Sequence, residues 1–479
     1  MPRTLSICRM IPFTAIAVFG LSACTSGTSW KPAPLPLPEA WREAGGFPAL
    51  ASGDDLARWW SRFDDPVLNR LVAATLRHHP DAVSAEARVR EFRARRDAAR
   101  STLFPAVDAG ISGGSARTDR DGARNTATSY ASALDASWEV DLFGRNRQAV
   151  QAAAARLGSA NEALHAVHAS LAAETALEYI RLRANEARLD VLRRNVKTRE
   201  ETARLAGWRR DAGEADALES SQASASLESA RAAIPLLEQE IAGGRNTLAR
   251  LVGRNPGGID NWLDPTCGIP TTSPALVSRI PADTLRQRPD VRIAGYELLA
   301  AAAARRSAEA SRFPSLRISG SLGTATPKAA DFLDPRTTTA NLLAGLTAPV
   351  FDAGRIRADI EASGALEEQA YETYRDTVLR ALAETENALI ACRRSNERLG
   401  ILEQAATHAR EADLLARRRY EVGEIDFLSV LDTQRTLLII EESLLTTRAD
   451  LTSSVVRLYQ ALGGGWSRTA SNSEPTSTP

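Results

Sequence analysis

Asp211-Ala212-Gly213-Glu214-Ala215-Asp216-Ala217-Leu218 returns about 210 residues later as Glu421-Val422-Gly423-Glu424-Ile425-Asp426-Phe427-Leu428. The shared Gly-Glu-x-Asp-x-Leu is the centre of a repeat that runs outward in both directions. Gly144-Arg145 and Arg147 match Gly354-Arg355 and Arg357, Glu174-Thr175 matches Glu384-Thr385, and Gly253 matches Gly463. Further upstream, Thr75-Leu76-Arg77 with Pro80-Asp81 returns as Thr284-Leu285-Arg286 with Pro289-Asp290, and Phe104-Pro105 as Phe313-Pro314. A register held over so many anchors is a duplicated unit, and self-similarity of this kind governs the reading of everything else.

Each unit reads as short helix, strand, loop, strand, very long helix, tight turn and returning helix. Residues 82–103 are rich in Ala, Arg and Glu, all good helix formers. Pro105 ends that helix by pushing its predecessor into the extended region. The residues after it alternate with period two, apolar Val107, Ala109 and Ile111 against Asp108, Gly110 and Ser112. Leu134, Ala136, Trp138 and Val140 alternate in the same way with Asp135, Ser137 and Glu139. The second copy repeats both strands over 316–322 and 342–350, with Leu346 expected on a lipid-facing side near mid-barrel and Ser321 on the opposite one. Residues 118–127 and 328–340 read as polar connections. Strands apolar on one side and polar on the other suit a membrane barrel with a wet lumen, and equally a half-buried soluble sheet.

Neither 145–207 nor 355–420 contains a proline. Roughly 64 helical residues reach about 95 Å. The returning stretches, 215–252 and 425–462, carry seven-residue seams, Leu227-Ile234-Ile241-Leu248 and Leu437-Leu444-Leu451-Leu458, and Leu182-Leu189-Val196-Ala203 does so on the first long helix. Such seams make neighbouring helices coil around each other left-handedly. A returning helix stacked on a short one nearly equals a long one, which suggests a tube of even height. Pro235 inside a returning helix is expected to kink it.

The N-terminus has another character. Arg3 and Arg9 precede an apolar run, residues 11–21, too short to span a bilayer, and Ser22-Ala23 brings small residues to Cys24. This is a secretory signal ending at a lipidation site. It resembles bacterial lipoprotein signals, and Thr25 in place of Asp implies sorting to the outer membrane. Elsewhere, Lys plus Arg and Asp plus Glu both number 59, so no net charge draws the chain to nucleic acid. Four cysteines are too few for a disulfide scaffold, and Cys267 and Cys392 read as separate thiols. His78-His79 has no partners at zinc spacing, the glycine clusters lack the Lys-Ser/Thr of a phosphate loop, and no catalytic constellation is legible. No cofactor or metal is expected, nor an enzyme.

Taken together, Trp59-Trp60-x-x-Phe63-x-Asp65-Pro66-x-Leu68, Arg288-Pro289-Asp290, the two Phe-Pro openings and Tyr420-Glu421-Val422-Gly423 leading to Val430-Leu431-Asp432 resemble the TolC-type outer-membrane efflux channels. The likeness is to their lipoprotein (NodT-like) subgroup serving multidrug pumps. It implies a mainly α protein with a small transmembrane β part. Three copies would share a 12-stranded barrel and a long α-helical periplasmic barrel. It implies partners too: a homotrimer, outer-membrane lipid, a periplasmic adaptor and an inner-membrane transporter of RND type. The turns at Gly213, Glu214, Asp216 and at Gly423, Glu424, Asp426 become adaptor-facing tips, and Tyr420 and Asp432 a periplasmic gate, in which Tyr420 or an Arg from a neighbour could satisfy the crowded Asp432 carboxylates. Several members carry a second acid where this chain has Ser429.

The implied organisation is a signal peptide at 1–23, a lipidated extended segment at 24–57, repeats at 58–257 and 283–465, an equatorial linker at 258–282 and a disordered tail at 466–479. Four strands cannot close alone, and open edges are not tolerated in lipid. The implied function is the exit duct of a tripartite pump, a passive conduit. The competing readings are a type I protein secretion duct and a lipid-anchored periplasmic scaffold without a pore.

Overall fold

The computed structural model describes residues 54–120, 123–263, 268–271, 285, 287–331 and 334–466, with positions 38, 41 and 42. The signal, Cys24, Cys267, most of the linker and the tail beyond Trp466 lie outside the described residues. In order come α1 (Asp54–Ala57), α2 (Pro66–His78), α3 (Pro80–Ser101), β1 (Ala106–Arg120), β2 (Ala123–Val140), α4 (Arg145–Asp211), α5 (Ala217–Leu251), α6 (Pro289–Ala310), β3 (Ser315–Thr326), β4 (Thr338–Thr347), α7 (Arg355–Glu421) and α8 (Phe427–Ala461). Both halves thus repeat one plan.

The two long helices have 67 residues each, about 100 Å at 1.5 Å per residue. Helices of that length need lateral support, and each takes it in two stages. Beside the sheet end, α4 packs on α3 and α6, where Arg292 of α6 pairs with Glu162 at 2.7 Å. Beyond the middle it packs on α5 and α8, with Arg193–Glu238 at 2.8 Å and Arg188–Glu442 at 3.7 Å. The expected end-to-end stacking is present: the Arg288 guanidinium, just before α6, donates to the carbonyl of Ala461 at the end of α8 over 2.7 Å. Leu182, Leu189, Val196, Ile241, Leu248, Leu444, Leu451 and Leu458 are all buried, so the seven-residue seams are the packing surface. Pro235 does not break its helix; α5 runs through it from Ala217 to Leu251. None of the described helices is long and apolar enough to cross a membrane.

The strands form one antiparallel sheet in the order β1-β2-β3-β4. The first connection is shorter than its polar composition suggests. Residues expected as a loop at 118–127 continue the ladder to Arg120 and from Ala123, with Thr118 opposite Asn125. Polar side chains do not forbid a two-stranded ribbon, because its backbone groups are satisfied across the ladder. The second connection carries 3-10 turns at Ala329–Asp331 and Pro335–Thr337 before β4 starts at Thr338.

The buried motif Trp59 to Leu68 clamps this assembly at mid-height. Trp59 stacks on Tyr459 of α8 with ring centroids 5.6 Å apart. Asp65 caps α2 by accepting from the Val67 and Leu68 amides at 2.8 and 2.9 Å. Its other oxygen accepts from the Tyr179 hydroxyl of α4 at 2.8 Å, and Arg183 donates to that hydroxyl at 3.1 Å.

Candidate functional site

Residues directly opposite in an antiparallel ladder share a face, so the register sorts the sheet into two surfaces. One row is Val140, Leu316 and Leu346; the next Trp138, Ile318 and Ala344; then Val107, Ala136, Gly320 and Leu342; then Ala109, Leu134, Leu322 and Ala340; then Ile111, Ser132, Thr324 and Thr338. These rows are apolar until the last, and their large side chains are widely exposed, Leu342 by 83% and Leu346 by 66%, while Trp138, Val140, Leu316 and Ile318 are half-buried. The reverse face holds Asp108, Asp135, Ser321 and Asn341 in one row, and Glu139, Arg317 and Gly345 in another, with Leu343 its large apolar exception. The phase expected for Leu346 and Ser321 is therefore the one observed. Its depth is not: Leu346 lies in the row nearest the helices, and Leu342 occupies the middle row.

Five rows, each two residues apart, span about 27 Å along the strands and about 20 Å of height on strands tilted by about 40°, close to the roughly 25 Å apolar band of a membrane barrel. Aromatic side chains mark its limits. Phe104, Phe143, Phe313 and Phe351 lie exposed at the helix end, Phe143 and Phe313 stacked at 4.8 Å, and Tyr130 sits just past the far row. Girdles of aromatic residues occur where hydrocarbon meets water. Beyond Tyr130 the β1–β2 ribbon continues as polar Ser115, Arg117, Thr126 and Thr128.

At the other end the two helical turns are near copies. Gly213 and Gly423 adopt φ of +78° and +77°, which L side chains resist. The amides of Glu214 and Glu424 reach back to the carbonyls of Arg209 and Arg419, both at 2.8 Å, and close each long helix. Asp216 and Asp426 are the N-caps of α5 and α8, accepting from the amides of Glu219 at 2.8 Å and Ser429 at 3.0 Å. The Ser429 hydroxyl also donates to Asp426, and together these bonds hold that carboxyl below its ordinary range. Glu424 pairs with Arg419 at 3.0 Å, and Glu214 lies 3.9 Å from Arg209.

The two gate candidates are placed differently. Tyr420 is 1% exposed, within a cluster of Ala206, Ala223, Ala416, Phe427 and Val430. Its hydroxyl donates to Glu219 of α5, and Arg209 of α4 lies 4.8 Å over its ring. Burial first, then the bond to Glu219, pushes its pKa up to about 12. Within the chain the Tyr420 hydroxyl is spent on Glu219 of the other hairpin and not on Asp432. Asp432 stands on the exposed side of α8 with Leu428 and Ser429, and has no side-chain partner among the described residues. Glu219 and Arg209, which tie the hairpins together through Tyr420, were not legible from spacing. The one hint is positional, since Glu219 occupies in the first repeat the place of Ser429 in the second. Among the described residues no group of acids, histidines and cysteines gathers as a metal site.

A sheet with one face fit for lipid and one for water, mounted on helices about 100 Å long, defines a membrane duct component. Comparison with known proteins agrees. Residues 71–254 and 280–464 match the family described as outer membrane efflux protein. The chain is 33% identical over 460 residues to the pyoverdine export outer membrane protein OpmQ of Pseudomonas aeruginosa, covering 93% of this chain and 95% of that one. It is 29% identical over 466 residues to the toluene efflux pump outer membrane protein TtgF of Pseudomonas putida, covering 94% and 96%. Among solved structures it superposes on the outer-membrane channel OprN with a TM-score of 0.87 at 31% identity, over 92% of this chain and 100% of that one. The chain belongs to the outer membrane efflux protein family, and its fold is that of the TolC-type channels.

Proposed function

We propose that this protein is the lipid-anchored, trimeric exit duct of a tripartite efflux system, a passive conduit for small molecules. The observation that carries this reading is the open sheet. Its apolar face exposes Val107, Leu322, Leu342 and Leu346, and neither β1 nor β4 has a second neighbour in the sheet order. Bacterial barrels begin at about eight strands, and unpaired edges in hydrocarbon cost several kcal/mol per backbone group. Copies of the chain joined edge to edge remove both liabilities, and three copies give the twelve strands implied by the family. The names of the relatives, pyoverdine export and toluene efflux, favour small molecules as cargo. Energy would come from an inner-membrane transporter of RND type through a periplasmic adaptor. Purified protein in planar bilayers should show discrete ion conductance; a membrane-bound oligomer that never conducts would overturn the reading.

Cys24 is the proposed acylation site. Cys24→Ser should lose all palmitate label yet remain in the outer membrane, because the barrel is a second and stronger attachment. Persistent label would refute the site, and release of folded protein from membranes would refute the barrel.

At the tip, Gly213, Glu214, Asp216, Gly423, Glu424 and Asp426 form the proposed adaptor-facing turns. Tyr420 braces the two hairpins, and Asp432 faces the pore. Three exposed Asp432 carboxylates near one axis would repel each other and attract cations. Asp432→Ala should raise resting conductance or reduce cation selectivity with the oligomer intact; recordings matching the parent in both respects would remove Asp432 from the gate. Asp426 needs a different substitution. Asp426→Ala also removes a helix cap, worth about 1 kcal/mol, whereas Asp426→Asn keeps the acceptor and drops the charge. Adaptor binding weakened by Asp426→Asn would show that the charge itself is read.

A further inference from the structure

The seam of α7 near the tip runs Ala406, Ala409, Asp413, Ala416 and Tyr420, a strict alternation of three and four residues in which every side chain is buried. Four of the five suit a helix interface; Asp413 does not. The same position in the first hairpin is Ala203, inside the seam Leu182-Leu189-Val196-Ala203. The duplicated unit therefore carries a carboxylate in one hairpin where its twin carries a methyl group.

Asp413 has a side chain only 5% exposed. Its Oδ2 accepts from Arg417 at 2.9 and 3.0 Å, and its Oδ1 is buried with no partner among the described residues. An ionised carboxylate with an unsatisfied oxygen in a packed interface is costly, and a neutral carboxyl is far less so. The other charges around it do not relieve it. Glu441 faces it from α8 and is itself held by Arg410 of α7 at 2.7 Å. On α4, Arg209 is turned to Tyr420 and Glu214, and Arg199 to Ser226. Arg435 and Asp432 of α8 lie on its exposed side.

We infer that Asp413 is a proton-operated packing switch in the α7/α8 hairpin: ionised it loosens the seam two turns above the Tyr420 brace, and protonated it lets the seam close. Burial, the largest influence, raises the Asp413 pKa, the Arg417 ion pair opposes it, and Glu441 adds to the rise. The folded form thus binds the proton more tightly than the unfolded chain does. The added stability is fully present below the unfolded carboxyl range and is lost as pH rises through the folded value. The first hairpin, with Ala203 at this place, lacks this carboxylate. The switch is a matter of helix packing and does not rest on the exit-duct reading.

Hydrogen exchange of the full-length protein in lipid nanodiscs tests it, with peptides from 196–230 of the first hairpin as the internal reference for intrinsic rates. In the wild type, protection of 406–441 relative to the reference should rise on the order of tenfold per unit of pKa difference between folded and open forms as the buffer is taken from pH 8 to pH 4. Asp413→Ala, which copies the first hairpin, and Asp413→Asn, which copies the protonated form, should both be more protected than wild type at pH 8 and flat with pH. A wild-type ratio that does not move, a slope that survives in Asp413→Ala, or protection at pH 8 that falls in both variants would each overturn the switch. Conductance is a separate reading. If the exchange result holds and bilayer currents fail, the duct is in error and the switch is not.

Discussion

Leu342→Arg is expected to abolish the heat-resistant oligomer in membranes, while Ser321→Arg leaves its yield at the parental level. Leu342 sits in the middle of five rows of the apolar face, opposite Gly320. An arginine on the lipid side of a barrel costs about 2–4 kcal/mol per chain at mid-depth and about 0–1 near either interface. In a trimer the larger penalty is incurred three times. Ser321 is opposite Asn341 on the reverse face, with Asp135 directly across in β2. An arginine there enters water beside a carboxylate. Leu346→Arg, in the row nearest the helices, should fall between the two. Semi-native electrophoresis of outer-membrane extracts measures all three together. Equal losses from Leu342→Arg and Ser321→Arg would mean that the faces are assigned wrongly, and a worse loss at Leu346 than at Leu342 would place the hydrocarbon centre lower.

The second large effect belongs to Asp65. Asp65→Ala removes the cap from the Val67 and Leu68 amides and leaves the Tyr179 hydroxyl, buried within α4, without its acceptor. A lost cap costs about 0.5–2 kcal/mol, and a stranded buried hydroxyl about 1–3. The two losses act on one clamp, so a destabilisation of about 2–4 kcal/mol is expected. Tyr179→Phe keeps the cap but takes the hydroxyl from the buried Arg183 and Asp65 groups that share it, so it should cost about 1–3 kcal/mol, the hydroxyl's part alone. Thermal melts of the purified oligomer compare the pair. A Tyr179→Phe variant as damaged as Asp65→Ala would shift the weight from the cap to the hydroxyl that Arg183 and Asp65 share.

How far the sequence reached depended on the range of the interaction. Strand phase was legible because alternation is a local property of the chain: Val107, Leu134, Ile318 and Leu346 fall on one face whatever they meet. Helix extent was legible too, since the absence of proline and the Gly-Glu-x-Asp turn are also local. The connection at 118–127 was misjudged because polar composition does not reveal whether a second strand is present to accept the backbone hydrogen bonds, whereas the one at 328–340 lies where expected to within a few residues. Leu346 was placed too deep because depth in the band needs the register of neighbouring strands, and no single strand contains it.

The sequence by itself determined the duplicated unit, the faces of the strands, the seams of the helices and, through them, the family. Each of these is written in spacing, and spacing survives without coordinates. Only the tertiary structure decided where the individual side chains of the tip go. Tyr420 is tied to Glu219 and Arg209, which come from another hairpin about 200 positions away in the chain. Asp413, one acid among many on a charged helix, stood out only once the fold had buried it. Partners distant in sequence are joined by packing, and burial is a property of the assembled fold; neither is encoded in the period of any one segment.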